Sequence, residues 1–144
     1  MKSVRKTVLV PHTAERMYVL VDQFEDYPQF LPWCGGAATH ERTAESVVAE
    51  IHIAYHGVRQ SFVTRNQNQP YERIDMQFVR GPFRSLSGHW HFTPLGDIGC
   101  RIEFSLDYEF SNQVLEKLVG PIFDKITDSF VDAFVRRADA IYPS

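Results

Sequence analysis

Cysteine is scarce in this chain, with Cys34 and Cys100 its only two among 144 residues. Two thiols cannot build a disulfide framework, so reduced cysteines in a cytosol-like compartment are expected. Long apolar runs are missing as well. No stretch approaches the roughly 18 residues of a membrane-spanning helix. The apolar segment behind the basic Met1–Lys6, Val8-Leu9-Val10, is too short for a signal-peptide core. The sequence therefore predicts a soluble, cytoplasmic protein. Nor is there a cationic surplus, since fifteen Lys and Arg against eighteen Asp and Glu leave a net charge of −3. DNA is not an expected partner, and any contact with RNA must be local. What the chain has in abundance is aromatic: eleven Phe, six Tyr and two Trp, 13% of all residues. With 44% hydrophobic and 23% charged residues and no repeat or linker, residues 1–144 read as one globular domain.

Val4–Val10 is a β-branched run stopped by Pro11, which predicts a first strand. Thr13 then offers a helix cap, with Met17, Leu20, Val21 and Phe24 at helical spacing. Pro28 and Pro32 cut the next stretch into a short aromatic piece, and Gly35-Gly36 is expected to end it. From about Ala37 to Phe110 the period becomes two. Val47, Ala49, Ile51, Ile53 and Tyr55 alternate with polar neighbours. The same alternation returns in Ile74–Phe78, in Leu86, Trp90 and Phe92, and in Ile102–Phe110. Turn-forming residues at His56-Gly57, Asn68-Gln69-Pro70, Arg80-Gly81-Pro82 and Pro94–Asp97 separate the runs. With the first strand and another near Ala38–Arg42, about seven antiparallel strands are predicted. Ser111 or Asn112 then caps a helix reaching about Ile141, whose apolar stripe is Leu115, Leu118, Val119, Ile122, Ile126, Phe130, Ala133, Phe134 and Ile141. Gly120-Pro121 lies inside it, where a kink or local break is expected.

Every alternating strand presents one apolar face, and only one long helix is available to cover it. A helix is about 10 Å wide, whereas seven strands at about 4.8 Å would span some 30 Å if flat. The sheet must curl around the helix, and the aromatics then either fill the remaining volume or line a cavity.

At this point the residues resemble a known family. Val10-Pro11-His12-Thr13-Ala14-Glu15 and Asp26-Tyr27-Pro28-Gln29-Phe30-Leu31-Pro32-Trp33-Cys34 look like segments of the coenzyme Q-binding proteins and ribosome association toxins of the START-like, polyketide-cyclase-related superfamily. So do Gly81-Pro82-Phe83, Leu86-x-Gly88-x-Trp90-x-Phe92 and Ala133-Phe134. The resemblance covers the chain almost end to end. It implies an α+β helix-grip fold, in which a curled sheet of about seven strands surrounds the C-terminal helix and encloses an apolar tunnel. It also implies a polyisoprenoid quinone such as ubiquinone as ligand, carried for respiration or quinone biosynthesis, with no catalysis and no further cofactor. Transient contact with a membrane or respiratory complex is implied too, at the inner membrane face. The same resemblance covers a toxin-like factor that binds the large ribosomal subunit and blocks subunit joining and, more distantly, a polyketide cyclase or aromatase.

The candidate tunnel residues are Phe62, Phe78, Leu86, Trp90, Phe92, Phe104, Tyr108 and Phe110 from the sheet and Leu118, Ile122, Ile126 and Phe130 from the helix. Leu31, Trp33 and Phe83 join them from segments punctuated by Pro and Gly, where either a mobile lid or plain local packing fits. Polar groups whose parity reaches the tunnel are Tyr55, Gln60 and Tyr108, thin support for acid–base chemistry. His89 and His91, like His52 and His56, share a strand side, but that side is the wet one, and no third ligand completes a metal site.

Overall fold

The computed structural model describes residues 1–142. Strand β1 (Lys2–Val10) leads to helix α1 (Ala14–Asp22) and a 3-10 helix (Phe24–Gln29). Six strands come next, β2 (Cys34–Arg42), β3 (Ser46–Tyr55), β4 (Val58–Gln69), β5 (Arg73–Arg80), β6 (Phe83–Leu95) and β7 (Gly99–Phe110), and helix α2 (Gln113–Ile141) closes the chain. The caps are those the sequence predicts. Thr13 Oγ1 accepts from the Arg16 amide at 3.2 Å, and Asn112 Oδ1 accepts from the Leu115 amide at 2.9 Å.

The strands form one antiparallel sheet in the order β1-β7-β6-β5-β4-β3-β2. Strands β2 to β7 are a meander, and β1 adds to the outer side of β7, so the first strand lies beside the last on one edge of the sheet. Parity holds along most of β3, where Val47, Ala49, Ile51 and Ile53 are buried and His52 is exposed, although Val48, and Val63 on β4, are buried on the opposite parity. This inner face grips α2, whose Val119, Phe123, Ile126, Val131, Phe134 and Ala138 are buried against it. A bond of 2.7 Å between His12 Nε2 and Asp139 Oδ1 ties the β1–α1 connection to the far end of α2.

Three expectations are corrected. Gly35-Gly36 does not end the helical piece. Both glycines lie within β2, which starts at Cys34 with a register shift between Cys34 and Gly36. A side chain at Gly35 would stand 2.9 Å from the Cβ of Ala54, so the pair allows close strand approach rather than a stop. Of the kink or local break expected at Gly120-Pro121, the break does not occur, and α2 runs on through Pro121. Both Pro121 and Lys117, one turn earlier, are exposed, so the Lys117 carbonyl deprived of its helical donor lies on the solvent side of α2. Leu118 is not on the buried stripe. It is 65% exposed, because one residue turns a helix by about 100° and Val119 takes the inward position.

Candidate functional site

Between the curl of the sheet and α2 lies an almost wholly apolar cavity of about 70 Å³. Its sheet wall carries Ile51, Phe62, Ile74, Met76, Leu86, Trp90, Phe104 and Leu106. Its helix wall carries Phe123, Ile126 and Phe130, and Val21, Phe24, Tyr27 and Trp33 close it from the α1 side. The register explains the convergence. Trp90 pairs with Ile74 on one neighbour and Phe104 on the other, so three inward side chains stand abreast. The Trp90 ring lies 4.7 Å from Phe104, 5.7 Å from Phe130 and 5.4 Å from Phe134, which fixes its orientation from sheet and helix together.

Of the residues the sequence singled out, Trp33, Phe62, Leu86, Trp90, Phe104, Ile126 and Phe130 line this cavity. Leu31, Phe83, Phe92, Tyr108 and Phe110 are buried without lining it. Phe83 stacks on Phe110 at 5.0 Å and meets Phe78 at 5.9 Å, forming a second aromatic layer toward the β5–β6 turn. Phe78 and Ile122 pack against the core from half-buried positions, and Leu118 faces away from it. Parity thus selects the face of the sheet, while depth along each strand decides which inward residue meets the cavity.

Sequence reasoning missed three polar members of the wall: Thr64, Asn66 and Thr127. The signal was present, since Phe62, Thr64 and Asn66 share one parity of β4, but a search for apolar residues passes over the last two. All three are buried, with Asn66 at 0% exposure. Thr64 Oγ1 donates to Asn66 Oδ1 at 3.0 Å, and Thr127 Oγ1 donates to the Asp124 carbonyl at 3.1 Å. Asn66 Nδ2 has no acceptor among the described residues. The polar candidates read from sequence sit elsewhere. Tyr55 and Gln60 are both half-buried, off the cavity, and Tyr108 donates its hydroxyl to Asp124 Oδ1 at 2.7 Å.

Tyr27 is the one ordinarily titratable side chain in the described wall. Its hydroxyl donates to the Val21 carbonyl at 2.6 Å, and burial, with Asp22 nearby, holds its pKa well above the usual phenol value. His40 and His52 lie on the outer face. They contact Glu50 at 2.8 and 2.6 Å, and the His40 hydrogen bond foremost holds that carboxyl below its usual range. Partial burial, with Arg73 nearby, lowers the His89 pKa.

Residues 10–135 match the family model of polyketide cyclases/dehydrases and lipid transport proteins. The chain belongs to this family. Within it, the ribosome association toxin RatA of Escherichia coli (strain K12) is 42% identical over 142 residues, covering 99% of this chain and 90% of that protein. The mitochondrial coenzyme Q-binding protein COQ10 homolog B of Xenopus laevis is 26% identical over 133 residues, covering 89% of this chain and 54% of that protein. A START superfamily protein from Mycobacterium smegmatis has the same fold, with a TM-score of 0.80, 22% identity and coverage of 96% of this chain and 98% of that one. The chain therefore has the helix-grip architecture, and the cavity lies where sheet and C-terminal helix meet. Its 70 Å³ is well below the roughly 300–1,000 Å³ of a typical small-molecule site, so the wall as it stands is contracted.

Proposed function

We propose that the protein carries or chaperones a polyisoprenoid quinone of the ubiquinone type for respiration or quinone synthesis, working from the cytoplasm with transient contact at the inner membrane face or a respiratory complex. The observation that carries this reading is the cavity wall: hydrocarbon and aromatic on nearly every side, with no Lys, Arg, His, Asp or Glu among its described residues. Prenyl chains are nearly all hydrocarbon, and burying one gains about 25 cal/mol per Å² without any polar partner. Acid–base catalysis needs a group that exchanges protons near neutral pH, and Tyr27, tied to Val21, does not supply one. Transport rather than turnover fits such a wall.

Uptake requires the cavity to widen, and the 3-10 helix with Trp33 forms its lid. This segment is held to α2 by aromatic contacts, Tyr27 and Phe30 each 5.2 Å from Phe134 and Trp33 6.0 Å from Phe130. Such contacts exchange readily for ligand contacts of the same kind.

A second reading, binding to the large ribosomal subunit, is favoured by the 42% identity to a protein named for ribosome association. The surface supports it less. On the outer face Arg5, Arg73 and Arg101 pair with Asp107, Asp75 and Glu103 at 2.9 to 3.0 Å, and Arg65, Arg80 and Arg84 stand 3.6 to 3.9 Å from carboxylates. These cations are already partly neutralised toward phosphate. Protein purified from its native host is expected to yield a prenyl quinone on organic extraction and to stay at the top of a low-salt sucrose gradient. Extracts containing only solvent, together with salt-sensitive migration with the large subunit, would replace the first reading by the second.

A further inference from the structure

Asn66, Met76, Gly88, Leu106 and Val4 form one inward row, one from each of five adjacent strands, and Asn66, Met76 and Leu106 of that row line the cavity. Four of the five are apolar or lack a side chain. Gly88 is required there, because a Cβ would collide with the Ser105 carbonyl oxygen and stand 3.1 Å from the Met76 Cε. Asn66 alone brings polarity to the row, and it does so fully buried and half satisfied: Oδ1 accepts from Thr64, and Nδ2 donates to nothing among the described residues. A buried amide without an acceptor is costly, and valine or leucine would fill a strand position in an apolar wall without that cost. Its chemistry is specific, since Nδ2 is a neutral donor, suited to a carbonyl oxygen. A carboxylate or phosphate head would enter this described wall with no cation to neutralise it, and ions in apolar surroundings without a partner are strongly disfavoured.

We infer that Asn66, oriented by Thr64, is the head-group recognition point of the cavity, donating Nδ2–H to a carbonyl oxygen of a neutral ligand whose remainder is hydrocarbon. The inference rests on the reading that this cavity takes up an apolar ligand, and it names the atom that sets the ligand's polarity and direction. Met76 and Leu106, on the same row, border the ring that bears the carbonyl, and the prenyl chain runs toward the lid at Trp33.

The test uses the full-length protein and three probes of nearly one shape: geranyl naphthoquinone, geranyl naphthalene without carbonyls, and the corresponding geranyl naphthoate anion. Binding is read from the fluorescence of Trp33 and Trp90, both in the wall. Wild type is expected to prefer the quinone over the hydrocarbon about tenfold, the scale of one neutral hydrogen bond plus relief of an orphaned donor, and to bind the anion most weakly. Asn66→Leu is expected to erase that preference while leaving hydrocarbon binding unchanged or tighter. Infrared spectra give an independent readout, a lowered carbonyl stretch of bound quinone in wild type that returns to its free value in Asn66→Leu. If that variant does not fold, Thr64→Val, which leaves Nδ2 in place but unoriented, is expected to broaden and weaken the same band shift. Equal affinity for quinone and hydrocarbon in wild type, an unshifted carbonyl band, or tightest binding of the anion overturns the inference while cavity uptake stands. Failure of all three probes to bind overturns the uptake reading itself, and the inference with it.

Discussion

Trp90 stands between Ile74 and Phe104 on the inner face of the sheet, 1% exposed, with its ring against Phe130 and Phe134 of α2. Its neighbour His91 points to the other face, half-buried, with Nδ1 4.0 Å from Glu103. Trp90→Ala removes both cavity wall and core packing, so a stability loss of about 3–5 kcal/mol is expected. His91→Ala removes a partly exposed side chain on the outer face and is expected to stay within about 0.5 kcal/mol of wild type. Urea midpoints of the two variants measure the contrast, and comparable losses would show that strand parity does not decide burial here. This pair was fully legible in the sequence, because alternation assigns a face whatever the tertiary structure does. Asn66 was not. It lies on the inward parity of β4, but a polar side chain there looks like a solvent-facing one until its neighbours are known.

At the scale of elements, punctuation residues were harder to read than periods. Gly35-Gly36 and Gly120-Pro121 both look like stops, yet each lies inside an element whose partners hold it: β3 pairs along β2, and the sheet buries the inner side of α2 on either side of Pro121. Local preference lost to packing in both cases. The proline inside α2 still carries a measurable cost. Pro121 is exposed, so its replacement touches no core contact. Pro121→Ala restores one backbone hydrogen bond and removes a cost of about 3 kcal/mol for proline inside a helix. It also returns up to about 1 kcal/mol of freedom to the unfolded chain. A net stabilisation of about 2 kcal/mol is expected in chemical denaturation, from the difference of these two effects. An unchanged or lower midpoint would mean that α2 is bent at Pro121 to follow the sheet, and that a straight helix packs worse.

For the whole molecule, the order of elements and the curl of the sheet came from counting: one helix, seven one-sided strands, and a width mismatch that only curvature resolves. The size of the cavity did not, because it depends on how far each inward ring reaches, and Phe83, Phe92, Tyr108 and Phe110 reach other rings rather than the void. That dense packing buries ionisable hydroxyls and thiols across the entire fold. Burial pushes Tyr18 on α1 up to about 12 and Cys100 on β7 up to about 11, and it raises Tyr27 and Tyr108 as well, Tyr108 with help from the Asp124 carboxylate. All four groups are neutral in both folded and unfolded chains at pH 7, so none makes stability pH-dependent there. Above about pH 9 the unfolded chain begins to release these protons, first the thiol and then the phenols near pH 10, while the folded chain retains them. A raised folded pKa then means stability falls as pH climbs, through a window from about 9 to beyond the values of about 11 and about 12 for Cys100 and Tyr18. Urea midpoints are expected to fall progressively across that window, with tyrosinate absorbance from Tyr18, Tyr27 and Tyr108 appearing together with the loss of far-ultraviolet dichroism. Titration of these three phenols near pH 10 with the dichroism intact would instead mean that water reaches them in the folded state, and that the sheet's grip on α2 is far looser than its aromatic contacts imply.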